Sequence, residues 1–246
     1  MIGWSDVRTQ LLRFVALVMV MGVALQLTFV LKVVIMGWVN PSSTAFARSE
    51  AFRLLQTEAG LRWDWQWVDY SQISTSLKRA VLASEDAGFV DHAGVEWDAI
   101  EKAWEKNQTA RPVVNTPSGK EREPRWVGGS TVTQQLAKNL FLSGERTIFR
   151  KAQELLIAFA LESFLSKQRI LEIYLNHVEW AEGVFGAQAA ARHYFRTDAA
   201  RLGPEASARL AVMLPAPKRF EKRPHSPYLA GRSQTVLARM GGVELP

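Results

Sequence analysis

Residues 130–176 read STVTQQLAKNLFLSGERTIFRKAQELLIAFALESFLSKQRILEIYLN. The stretch predicts three helices in succession, over about 130–142, 145–165 and 167–176, with no run of strand-like alternation between them. Working outward, further helical runs are expected at about 186–195, 204–214 and 227–240. Upstream, Leu77, Val81 and Ala80/Ser84 share one helical face that ends near Gly88, and a second helix is expected from Trp97 to Lys106. The segment from Asn107 to Val127 is rich in Pro, Gly and charge and reads as a loop. From Trp63 to Tyr70, WDWQWVDY, aromatic and polar residues alternate with the period of an extended segment. That arm either packs its aromatic face on the core or offers it to a sugar or a membrane. With no internal repeat and almost no other strand signal, the expected fold is mainly α.

The N-terminus adds a different element. Phe14 to Leu31 is a run of 18 residues without a charge, and after Lys32 the apolar pattern continues to Val39. A helix of this length crosses a hydrocarbon core of about 30 Å, with Lys32 snorkelling and Trp4 and Trp38 at the interfaces. Arg8 and Arg13 precede it, so the positive-inside rule puts the N-terminus in the cytoplasm and the rest outside, a single-pass protein of the inner membrane. The alternative is a cleavable signal peptide, since Ala45-Phe46-Ala47 fits a small-residue cleavage site, but a signal core is usually shorter. The expected organisation is a cytoplasmic N-terminus over 1–13, a transmembrane helix over 14–39, a linker and lead-in segment over 40–62 and a helical domain over 63–246.

Composition narrows the chemistry. The chain of 246 residues has 48% hydrophobic residues and 22% charged ones, enough apolar content for a sizeable core. It has no Cys, which excludes thiol catalysis, Cys-ligated zinc and iron–sulfur clusters. The net charge of +6 is uneven: residues 192–239 hold ten Arg or Lys against Asp198, Glu205 and Glu221. A basic segment of that kind faces an anion, but no nucleic-acid-binding motif accompanies it, so phospholipid headgroups or a phosphorylated substrate are the expected partners and nucleic acid is not.

Four stretches carry the chemistry. In Glu85-Asp86-x-x-Phe89-x-x-His92-x-Gly94, Glu85 falls at the C-terminal end of an apolar helix, where the helix dipole gives a carboxylate nothing. The pair reads as a solvated helix end or as a functional carboxylate, and His92 as a hydrogen-bonded histidine or a participant. Next, Gly128-Gly129-Ser130-Thr131 turns into a helix capped by Ser130 or Thr131, where free backbone N–H groups suit an anion such as pyrophosphate. Gln134, Gln135, Lys138 and Asn139 follow and are expected on one polar side. Third, Arg146, Arg150 and Glu154 stand four apart beside Lys151, either an ion-pair ladder or phosphate clamps around a second carboxylate. The last stretch runs from Ile170 to Asn176 and on to Gly183-Val184-Phe185-Gly186, whose small residues serve close packing.

In this order and register the four stretches resemble the motifs of the bacterial peptidoglycan glycosyltransferases, glycosyltransferase family 51, from about Trp67 to the C-terminus. The resemblance implies a lysozyme-like α-helical head outside the membrane that polymerises lipid II into β-1,4-linked glycan strands and releases undecaprenyl pyrophosphate. It makes Glu85 the general base and Glu154 the second essential carboxylate. The substrate-binding positions it implies are Asp86, Phe89, His92, Gly129, Ser130, Thr131, Gln134, Gln135, Lys138, Asn139, Arg146, Arg150 and Lys151. A divalent cation, Mg²⁺ or Mn²⁺, is expected at the substrate pyrophosphate, with Glu154 either its ligand or a group that orients Arg150 and Lys151, and no organic cofactor is expected. Besides lipid II, the growing strand and the membrane, the resemblance implies cell-wall synthesis or division proteins as partners. The loop over 107–127 is longer than is usual for the family, and Trp180-Ala181 stands where an aromatic-Gly pair is common. No S-x-x-K is present, so a penicillin-binding transpeptidase function is not expected.

Two other readings compete. A lysozyme-like hydrolase or lytic transglycosylase also uses a Glu on helices, but it has no use for cations around a second carboxylate. A non-catalytic membrane scaffold would leave Glu85 and Glu154 replaceable.

Overall fold

The computed structural model describes residues 4–57, 62–98, 101, 105, 129–142, 144–145 and 147–246, with the side chains of 4–7 set aside. Residues 97, 98, 101 and 105 are helical, while the rest of the helix expected from Trp97 to Lys106, the side chain of Trp4, the loop over 107–127, Gly128 and Arg146 lie outside the described residues.

Helix α1 (Trp4–Ile35) is the apolar N-terminal run, and its stretch from Arg8 to Ile35 is long and apolar enough to cross a membrane. The helix stops short of Val39. Gly37 N–H returns to Val34 O and Val39 N–H to Ile35 O, a turn at the glycine that leads the chain away. The expected division at residue 40 does not describe the packing, because the last turns of α1 belong to the head. Val33 is fully buried in the main core, and Phe29 meets Phe141 edge-on with ring centroids 5.3 Å apart. Gln26 and Gln153 exchange two amide hydrogen bonds of 2.7 and 3.0 Å.

Helix α2 (Ala45–Leu55) starts at Thr44, whose hydroxyl accepts the Ala47 N–H at 2.9 Å. The Ala45-Phe46-Ala47 triplet is thus its first turn. The aromatic arm that follows is extended, but only β1 (Asp64–Trp65) joins a sheet, a small one in the order β1-β3-β2 with β2 (Glu179–Ala181) and β3 (Val184–Phe185). β1 runs parallel to β3, and β2 antiparallel to it. The arm packs on protein, the first of its two expected readings. Trp65 stacks on His177 at 5.7 Å and donates its indole N–H to Asn176 O, while Trp63 stacks on Phe185 at 4.7 Å.

The rest is helical, as the pattern predicts. Helix α3 (Thr75–Glu85), capped by Ser74, buries Leu77, Ala80 and Val81 against α8 (Pro204–Met213) and α10 (Pro227–Arg239). Helices α4 (Val132–Phe141), α5 (Ile148–Phe164) and α6 (Lys167–His177) each begin with a hydroxyl cap, Thr131, Thr147 and Ser166. Helices α7 (Gly186–Phe195) and α9 (Pro217–Glu221) complete the head. The joint between α6 and α7 depends on two glycines. Gly183 and Gly186 have φ of +73° and +83°, and a Cβ at Gly186 would sit 2.6 Å from Asn176 O. Trp180 and Ala181, the departure from the family pattern, are fully buried here.

Candidate active site

The adjacent carboxylates Glu85 and Asp86 divide between two tasks. Asp86 is the C-cap residue of α3, and its side chain turns to the start of α4, where Oδ2 accepts the Val132 N–H at 2.8 Å. Its other oxygen meets His92 Nε2 at 2.9 Å. The Gly94 N–H donates to His92 Nδ1 at 3.1 Å, so the ring proton belongs on Nε2, facing Asp86. The positive end of α4 is therefore already supplied with an anion from the protein. This corrects the expectation that its free N–H groups await a pyrophosphate: Asp86 takes Val132 N–H and the Thr131 hydroxyl takes Gln134 N–H. Asp86, His92 and Glu96 bring three ligand atoms within 4.8 Å of one another, but the hydrogen bonds of Asp86 and His92 already engage four of the available atoms.

Glu85 is half-buried and has a different environment. Its Oε2 accepts from Gln135 Nε2 at 2.9 Å and its Oε1 from Ser84 Oγ at 3.4 Å. Burial raises its pKa above the ordinary carboxylate value, against the opposing effect of the Gln135 and Ser84 hydrogen bonds, and the Asp86 charge adds to the rise. A carboxylate so placed is a better proton acceptor than an exposed one.

The second centre is on α5. Arg150 Nη1 and Lys151 Nζ lie 2.6 and 2.5 Å from the two oxygens of Glu154, whose side chain is 4% exposed. Helical spacing makes both contacts, at i,i+4 and i,i+3. Lys151 also reaches Ser130 Oγ at 3.3 Å and Gln134 Oε1 at 3.4 Å, which links the turn before α4 to this cluster.

Helix α4 lies between the centres. The expectation of one polar side holding Gln134, Gln135, Lys138 and Asn139 is corrected: Gln134 turns to Lys151, whereas Gln135 turns to Glu85. Consecutive residues point about 100° apart on a helix, so adjacent glutamines cannot share a face. Lys138 and Asn139 stand one turn further on, both half-buried, and at the start Gly129 is half-buried and Ser130 exposed. Four residues expected to touch substrate are closed off instead. Phe89 is 1% exposed in the core with the Lys167 ammonium 4.5 Å from its ring centroid. Thr131 caps α4 and donates to Gly94 O at 2.7 Å, and Asp86 and Gln134 are likewise buried. Apolar or hydrogen-bonded surroundings satisfy Phe89, Thr131 and Asp86, whereas Gln134 keeps a buried Nε2 without a hydrogen-bond partner beside its contact with Lys151.

One residue of the site goes unread in the sequence. Tyr174 of α6 is 1% exposed, and its hydroxyl donates to Gln135 Oε1 at 2.9 Å. The available signal is a phenol in the apolar run ILEIYL, where a buried O–H needs a partner.

A helical head with a half-buried carboxylate and a neighbouring cation-held carboxylate, preceded by a helix of membrane-spanning length, has the groups for acid–base chemistry beside an anion. This chain belongs to the transglycosylase family, whose pattern, described as Transglycosylase, matches residues 54–241. It is 49% identical over 231 residues to a biosynthetic peptidoglycan transglycosylase of Paraburkholderia xenovorans, covering 94% of this chain and 91% of that protein. Proteins of the same description from Burkholderia thailandensis and Bordetella pertussis are 50% identical over 223 residues and 48% identical over 229. Those alignments cover 91% and 93% of this chain, and 82% and 91% of the respective relatives.

Proposed function

We propose that this peptidoglycan glycosyltransferase joins lipid II units into β-1,4-linked glycan strands, with inversion at the anomeric carbon and release of undecaprenyl pyrophosphate. The observation that carries the reading is the pair of adjacent glutamines on α4, one held to Glu85 and the other to the Arg150–Lys151–Glu154 cluster. Two such centres fit the two ends of a displacement. The acceptor sugar hydroxyl attacks the donor's anomeric carbon while its proton passes to Glu85, because a hydroxyl is too weak an acid to attack unaided. The bond to the pyrophosphate breaks at the same time, and cations stabilise the charge that leaves, with no general acid needed. Lys151 is the more exposed of the two cations on Glu154, and the family resemblance adds Lys138 and Arg146 as cations for the donor's pyrophosphate.

Glu154 is an orienting group here. A divalent ion such as Mg²⁺ or Mn²⁺ takes open oxygen donors, but both Glu154 oxygens face cations, so Glu154 offers it none in this arrangement. No step is assigned to a metal. The membrane supplies the substrate. Helix α1 crosses it with the N-terminus in the cytoplasm and the head outside, and exposed Ile148 and Phe149, at 87% and 89%, give the start of α5 a second apolar contact.

The test is polymerisation of labelled lipid II by the purified chain. Glu85→Gln should fold, bind substrate and lose about 10²–10⁴-fold in turnover, since an amide cannot take the proton. A folded variant with more than about a tenth of wild-type turnover would remove Glu85 from the role. Shortening of preformed strands by the wild type would instead favour the hydrolase.

A further inference from the structure

Glu85 does not hold its own hydrogen-bond donor in place. Gln135 presents an amide that has two orientations of nearly equal shape, one with NH₂ toward Glu85 and one with C=O toward it. The second would set a carbonyl oxygen against a carboxylate. On the far side of the amide the Tyr174 hydroxyl lies 2.9 Å from Oε1, and Gln135 Nε2 lies 2.9 Å from Glu85 Oε2. These distances link a buried phenol on α6 to the carboxylate on α3 through a side chain of α4.

We infer that Tyr174 is a positioning residue for this reaction: by donating to Gln135 Oε1 it fixes the amide with its NH₂ toward Glu85 and so holds that carboxylate as a hydrogen-bonded anion. The inference rests on the reading of Glu85 as general base. Two observations and one general effect support it. Tyr174 is in the core, so its O–H has no water to turn to. Burial, with the charges of Glu85 and Asp86, raises its pKa well above the ordinary phenol value, so it stays a donor wherever the enzyme works. Donation to the carbonyl polarises the amide and strengthens the N–H bond on its other side, as linked hydrogen bonds do at low dielectric.

Among the described residues few competing charges surround Glu85. Asp86, bonded to His92, is the charge that acts on Glu85. Helix α4 presents neutral Gln135, with Lys138 one turn on, and α6 presents Tyr174. Of the helices packed on α3, α8 carries Glu205 and Arg209, the latter donating to Pro224 O at 2.9 Å, and α10 carries Arg232 and Arg239.

The experiment measures lipid II polymerisation by the full chain across pH. In Tyr174→Phe the Gln135 N–H bond weakens, Glu85 is harder to ionise, and the acid limb of kcat/KM moves to higher pH. kcat at neutral pH should fall about threefold to tenfold with KM little changed. Gln135→Leu should move the limb the same way, and the double variant should move it no further than Gln135→Leu alone, because Tyr174 acts through Gln135. Incorporation of 3-fluorotyrosine at 174 keeps the ring and strengthens the donor, so the limb should move to lower pH. That variant decides the matter if Tyr174→Phe fails to fold. An acid limb unmoved by Tyr174→Phe or by fluorination, or effects that add fully in the double variant, would overturn the inference while leaving Glu85 in place. Retained turnover in Glu85→Gln would instead remove the reading on which it rests.

Discussion

Glu154 sits between two cations of its own helix, and neutralising it separates two ideas about its work. As an orienting group it holds Arg150 and Lys151 toward the donor side, so Glu154→Gln should slow turnover by about 10–100-fold through misplaced cations. Any dependence of rate on Mg²⁺ or Mn²⁺ should survive the change. Titration of the divalent ion against the initial rate of the variant checks this, and a lost dependence would restore Glu154 as a metal ligand. The residue pattern alone leaves both roles open, because i,i+3 and i,i+4 spacing describes a surface ion-pair ladder equally well. What favours the orienting role is the burial of Glu154 beneath its partners, a property of the fold around α5. The same holds for Glu85 and Asp86. Two carboxylates at a helix end are visible in the sequence as an unfavourable placement. Which of them caps α4 and which faces Gln135 depends on where residue 132 arrives, 46 positions later.

At the scale of elements, α6 locates the aromatic arm and the turn into α7 through one side chain. Asn176 Nδ2 donates to Val68 O and Glu172 O, its Oδ1 accepts from Val68 N–H, each at 2.9 Å, and it is fully buried. Asn176→Ala removes all three bonds and orphans a buried amide of the arm. Unfolding in urea should show a loss of about 3 kcal/mol or more, with the slope unchanged. A loss under about 1 kcal/mol would mean that water replaces the amide without cost. The helices themselves are plain from the sequence, since hydroxyl caps and apolar spacing are local signals. The three short strands are not, because β1 and β3 pair across 120 positions and neither is long enough to alternate.

For the molecule as a whole, α1 is two things in one helix, an apolar span and a strut of the head. Deleting residues 1–40 takes away Val33 from the core, Phe29 from Phe141, Gln26 from Gln153 and the Met36 carbonyl from Arg169. Losses of about 1–3 kcal/mol for the valine and about 1 kcal/mol for the ring pair should lower the unfolding midpoint by roughly 10 °C. Deleting residues 1–23 keeps these contacts and should leave the midpoint near that of the full chain. The shorter deletion should also retain affinity for anionic vesicles at low salt, through Ile148 and Phe149. Calorimetry and vesicle sedimentation of the two truncations check both points, and equal midpoints would mean that the end of α1 is only an anchor.

The sequence by itself determines a helical head, an N-terminal helix of membrane-spanning length and the set of residues from which the site is drawn. Those features are written in local periodicity, in caps one turn long and in runs of uncharged residues, and helices form from local contacts. Tertiary structure alone decides the division of labour. It gives the N-terminus of α4 to Asp86, turns Gln134 toward Lys151 and Gln135 toward Glu85, and buries Phe89 and Thr131. It also brings Tyr174 to Gln135 across 39 positions. The physical reason is that burial and hydrogen-bond partnership belong to packed surfaces from distant segments, and a carboxylate's role follows from its surroundings.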